Sequence, residues 1–194
     1  MRVEPGSKVV FQVHYNTVFT EPEPDRSSVV FMLEDEVEHE AFVMPWTHYM
    51  WLISDAMKIP AGEKHVTHSW SADPFNLPVN LFGDNNLLRV YSSAVHMHVR
   101  GRAGNNFVER PDGTKECLLN IPRYDFNWQR MYRLSEPVEV RPGDKIGLEC
   151  HWDNSLENQP LIDGEPIEPV DLYWGEGTLD EMCVSFFFVV PMKE

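Results

Sequence analysis

Ala94-Val95-His96-Met97-His98-Val99-Arg100 closes a run of β-branched and apolar residues that begins at Leu87. Side chains on a strand alternate between its two faces. Alternation sends Val95, Met97 and Val99 to a core and leaves Ala94, His96, His98 and Arg100 on the opposite face. Two imidazoles placed so stand roughly 6–7 Å apart at the backbone, close enough to meet on one metal ion. The plain alternative is one packed histidine and one solvated histidine.

Outward from this stretch the chain reads as short β-runs separated by Pro, Gly, Asn and Asp. Strands are expected at Lys8–Tyr15, Val29–Glu34 and Glu40–Val43, and in the segment that follows the Ile59–Glu63 turn and ends at Trp70. Leu87–Arg100 is the central strand. Asn106–Arg110 and Lys115–Asn120 form a hairpin about the Pro111–Thr114 turn. Arg130–Leu134, Val138–Val140 and Lys145–Trp152 follow, and His48–Ala56 reads equally as strand or helix. Met182–Val190, MCVSFFFVV, is continuously apolar, the pattern of a strand buried on both faces. About nine strands and no amphipathic helix predict an all-β fold, an antiparallel sandwich or jelly roll.

The formal charge of −15 over 194 residues repels nucleic acid and anionic membrane, so neither is expected as a partner. No apolar run is long enough for a helical membrane span. Met1-Arg2-Val3-Glu4-Pro5 leads into strand-like sequence with no signal peptide, which leaves a cytosolic protein or a fragment of a longer precursor. Cys117, Cys150 and Cys183 permit one disulfide and a leftover thiol, or three reduced thiols. There is no Cys-x-x-Cys, which speaks against zinc-knuckle and thioredoxin chemistry.

Met182 enters the last strand after Gly175-Glu-Gly-Thr-Leu-Asp-Glu181. A Met entering a buried strand ordinarily belongs to the core; if it faces His96 and His98, it completes a set of two imidazoles and a thioether. Soft sulfur suits Cu(I), imidazole accepts both oxidation states, and zinc ordinarily takes a carboxylate or thiolate third. His39, His48, His65 and His68 read as ordinary or surface residues. His151 offers a rival, cupin-like metal site with His96 and His98, although the Glu that pattern wants after the second His is replaced by Arg100–Ala103. Arg123-Tyr-Asp-Phe-Asn-Trp-Gln129 reads as an aromatic loop whose rings Tyr124, Phe126 and Trp128 either line a cleft or, the preferred reading, simply pack.

Val95-His-Met-His98, Pro142-Gly-Asp144 leading to Cys150, Gly177-Thr-Leu-Asp-Glu-Met-Cys183 and Phe11-Gln-Val-His-Tyr15 together resemble the copper type II, ascorbate-dependent monooxygenases, the peptidylglycine α-hydroxylating and dopamine β-hydroxylases. The resemblance spans about residues 8 to 190. It implies residues 1–20 as the terminal strand of a preceding, mostly absent copper domain and 27–194 as a C-terminal copper-binding jelly roll. It implies an O2-binding copper on His96, His98 and Met182, and His14 as the one remaining ligand of a second copper. It also implies a Cys150–Cys183 disulfide with Cys117 free, ascorbate as electron donor, a small-molecule substrate hydroxylated at a C–H bond, and secretion or a periplasmic location. No acid–base catalytic residue is required. A copper-binding module without activity, lacking its partner domain, is the alternative on the same fold.

One departure bears on substrate. Where the peptide-hydroxylating members carry an Arg, an Asn and a Tyr for the substrate carboxylate, this chain has Ala94, Val184 and Phe186. An apolar trio cannot clamp a carboxylate, so a peptide ending in glycine is not the expected substrate.

Overall fold

A computed structural model describes residues 3–13, 15, 21 and 23–194. The elements in order are β1 (Phe42–Trp46), α1 (Tyr49–Ile53), β2 (Val66–Ala72), β3 (Leu87–His96), β4 (Gly101–Glu109), β5 (Lys115–Ile121), β6 (Tyr132–Val140), β7 (Lys145–Trp152), β8 (Leu161–Ile162), β9 (Glu165–Pro166) and β10 (Val184–Met192). Two four-stranded sheets, ordered β1-β10-β3-β6 and β2-β7-β4-β5, face each other, and β8 and β9 form a small separate ribbon. Every strand pairing is antiparallel. The all-β antiparallel sandwich expected from the sequence is therefore the fold.

Between the sheets lie Leu88, Val90, Val95, Met97, Phe187 and Val189 from one side and Val108, Ile146, Leu148 and Trp152 from the other. Each such side chain contributes roughly 1.5–3 kcal/mol by leaving water. A buried polar cross-link sits among them. Asn106 of β4 donates to Ser93 Oγ of β3 at 2.7 Å and accepts from Ser185 Oγ of β10. The Cys150–Cys183 disulfide, 33 residues apart in sequence, joins β7 to the approach of β10 and so ties the two sheets. Closing a loop of that size constrains the unfolded chain by roughly 3–4 kcal/mol. Cys117 is free and exposed.

A β-bulge sets the faces of β3. Val90 pairs with Val189 and Ser92 with Phe188, so Tyr91 is an extra residue with no rung of its own. Such an insertion re-aims every side chain beyond it. Before Tyr91 the core takes even positions, Leu88 and Val90; after it the core takes odd ones, Ser93, Val95 and Met97. His96 thereby faces outward.

Several local expectations change. The described residues of Lys8–Tyr15 and all of Val29–Glu34 form no strand; with no sheet edge against them, Val10 and Met32 are 88% and 91% exposed. The third short run extends as β1 to Trp46, and His48–Ala56 becomes α1 and a 3-10 turn. Arg130–Leu134 and Val138–Val140 merge into β6 through Pro137. Met182–Val190 is not buried on both faces. Ser185, Phe187 and Val189 point into the core, whereas Phe188 on the other face is 39% exposed. No helix among the described residues is long and apolar enough to cross a membrane.

Candidate metal centre

β3 ends at His96, whose cross-strand partner is Val184, the first residue of β10. Beyond that rung the chain turns at once into β4, with Gly101 N–H donating to His98 C=O at 3.2 Å. The alternation read from the sequence thus holds through His98 and fails after it. Val99 is half-buried and lines a groove rather than the core. Arg100 does not share the histidine face; it is buried and donates to Gln159 Oε1 at 3.0 Å and to Leu179 C=O at 2.7 Å.

His96, His98 and Met182 line one cavity of about 200 Å3, together with Phe126, Gln129, Glu176 and Thr178. The two imidazole centroids are 5.1 Å apart. Position parity on β10 accounts for Met182. Cys183, Ser185 and Phe187 face the opposite sheet, so Met182, Val184 and Phe186 take the outer face with His96 and Ala94.

Both imidazoles are held through Nδ1. His98 Nδ1 bonds Asp180 C=O at 3.0 Å, and His96 Nδ1 bonds Gln129 Oε1, an orientation fixed because Gln129 Nε2 donates to Phe126 C=O at 2.7 Å. With Nδ1–H given to an oxygen, the Nε2 lone pair is the free one, the arrangement of metal-binding histidines. Burial lowers the pKa of His98, which keeps that lone pair unprotonated.

Glu181 fixes the turn that carries His98. Its side chain is fully buried and accepts from His98 N–H at 2.8 Å, Arg100 N–H at 2.7 Å and Trp152 Nε1–H at 2.9 Å. Burial pushes its carboxyl up to about 7, against the pull of those three donors. Sequence reasoning passed over Glu181, because nothing in its spacing shows that it reaches backbone 83 residues earlier.

Ala94 and Phe186 are cross-strand neighbours and line a second cavity of about 260 Å3 beside His96, with Val95, Gln129, Arg130 and Met131. Val184, the cross-strand partner of His96, is buried and lines neither of these two cavities. Arg130, which the sequence reading did not single out, stacks on Trp128 at 4.5 Å.

The other histidines separate from this site. His151 bonds Thr67 and Glu149 on the second sheet. Among the described residues no three His, Cys, Asp or Glu side chains gather to hold a metal, so the cupin-like trio of His96, His98 and His151 does not form. His68 lies on β2, bonded to Lys58 C=O, and with His48 it joins a row of ring contacts, mostly tilted or edge-on, from Trp46 through Trp70 and Trp51 to Trp152. His14 lies outside the described residues.

The donor set fits copper on its chemistry: two imidazoles and a thioether line one cavity, while the neighbouring Cys183 is taken up in a disulfide.

Comparison with known proteins agrees. DBH-like monooxygenase protein 2 of Mus musculus is 32% identical over 104 residues, covering 53% of this chain and 15% of its own length. Tyramine beta-hydroxylase of Caenorhabditis briggsae is 26% identical over 147 residues, 74% of this chain and 22% of its own. Dopamine beta-hydroxylase of Canis lupus familiaris is 24% identical over 107 residues, 55% and 15%. The chain thus spans about a fifth or less of the length of these relatives. Residues 47–192 match the family model of the copper type II ascorbate-dependent monooxygenase C-terminal domain, and the chain belongs to that family.

Proposed function

We propose that this chain is the part of a monooxygenase that holds the O2-side copper, with His96, His98 and Met182 as its ligands. The observation that carries the reading is their convergence on one cavity with both Nδ1 atoms already engaged. Copper, when bound, supplies the electron and O2 chemistry by which a substrate C–H is hydroxylated, with ascorbate as reductant. The chain's own residues do the rest. Asp180 and Gln129 orient the two imidazoles. Glu181 holds the turn beneath His98. Phe126, its ring edge-on to His98 at 6.1 Å, screens the site from water.

Ala94, Val184 and Phe186 form the substrate wall in this reading, and it favours a small molecule with an apolar body over a peptide carboxylate. Residues 1–20 belong to a preceding copper domain, 27–194 form the C-terminal one, and His14 serves the second copper. The disulfide supports a secreted or periplasmic protein. The alternative on the same fold is a copper-binding module without activity of its own.

Copper titration of the reduced protein, followed by O2 uptake with ascorbate, tests this. One copper per His96/His98/Met182 site is expected, with affinity at least tenfold weaker in His96→Ala and in His98→Ala. Unchanged affinity in both variants overturns the metal site. Copper binding without ascorbate-driven O2 uptake assigns the inactive module.

A further inference from the structure

The loop 123–129 addresses the His96-Met97-His98 segment one residue at a time. Gln129 takes His96 Nδ1–H, and Phe126 stands against the ring of His98. Tyr124 takes the residue between them. Its single phenolic oxygen donates to Met97 C=O at 2.6 Å and accepts from Met97 N–H at 3.1 Å. Met97 lies just past the last rung of the β3–β10 ladder, so no strand supplies these two bonds. Burial raises the pKa of the phenol, which keeps the O–H that donates. Gly101 admits the arrangement, since a Cβ there would come within 2.8 Å of Met97 Cβ and 2.9 Å of the Tyr124 ring.

A ring alone would fill this space, so the hydroxyl does something that packing does not require. It pins the peptide groups on either side of Met97, and those peptide groups set where the two imidazoles stand relative to each other. Gln129 then sets the rotation of the His96 ring. We propose that Tyr124 and Gln129 are positioning residues of the metal site: they hold both Nε2 atoms on one point in the absence of metal. This rests on the reading of His96, His98 and Met182 as ligands.

The test compares Tyr124→Phe and Gln129→Leu with the native chain in three measurements: Cu(I) affinity by competition with a chromogenic chelator, the Cu(II) electron paramagnetic resonance spectrum, and the thermal midpoint without metal. Partners of this kind are worth roughly 10–100-fold in metal affinity. Tyr124→Phe keeps the ring and is expected to bind copper about tenfold more weakly with altered hyperfine splitting. Gln129 is exposed, so Gln129→Leu is expected to keep the native midpoint and still lose about tenfold. It decides the matter if Tyr124→Phe fails to fold. Native affinity and spectrum in Gln129→Leu and in any folded Tyr124→Phe, whatever their midpoints, overturn the positioning role. If His96→Ala also binds copper as the native chain does, the metal-site reading itself has failed.

Discussion

Deletion of Tyr91 is expected to abolish cooperative folding, or to leave a fold that no longer binds copper. The bulge at Tyr91 lets β3 bury even positions before it and odd positions after it. Without the extra residue one half of the strand must turn over. Either Leu88 and Val90 enter water, or Val95 and Met97 do, with Ser93 giving up its hydrogen bond to Asn106. Two such side chains amount to roughly 3–6 kcal/mol, set against a total stability of about 5–15 kcal/mol for an ordinary domain. In the second case His96 also turns inward and leaves Met182. Tyr91→Ala keeps the residue count and hence the bulge, and is expected to stay within about 1–2 kcal/mol of the native chain. Urea unfolding of both variants checks this. A deletion variant with native midpoint and copper affinity would show that the bulge does not set the faces of β3.

Glu181→Leu is expected to be the most damaging single substitution near the site. It preserves bulk but strands three buried N–H donors, those of His98, Arg100 and Trp152. Each unpaired donor costs about 1–3 kcal/mol, and the buried guanidinium of Arg100 loses a carboxylate that favours its charge. A loss of at least roughly 3 kcal/mol follows, on the order of 10 °C or more in thermal midpoint for a chain of this size. Glu181→Gln retains one acceptor oxygen and should fall between the two. Calorimetry that placed Glu181→Leu within a few degrees of the native chain would remove Glu181 from this role.

The sequence carried the parts of this architecture that depend on local pattern. The Asn106–Asn120 hairpin and Lys145–Trp152 were legible because turn residues and apolar runs are contiguous. Val95 and Met97 against His96 was legible because alternation is local. Met182 was legible as a companion of the histidines only through donor chemistry and family resemblance. What escaped depends on contacts between distant segments. A bulge has no signature in residue type, and the period of Leu88 and Val90, continued unbroken, would have turned His96 inward. Tyr124 and Gln129 looked like members of a packed aromatic loop because their partners are a backbone and one ring nitrogen. Arg100 followed the parity of its neighbours on paper, but the strand had already ended. Lys8–Tyr15 and Val29–Glu34 have strand composition, yet a strand requires a partner edge, and the described residues of both find none.

The central claim is that two imidazoles and one thioether bind the same copper. X-ray absorption of the Cu(I) protein tests it most directly. A sulfur scatterer in the copper shell of the native chain, absent in Met182→Ala while the two imidazoles remain, is the result predicted. A copper shell without sulfur in the native chain, or one that Met182→Ala leaves unchanged, would contradict it.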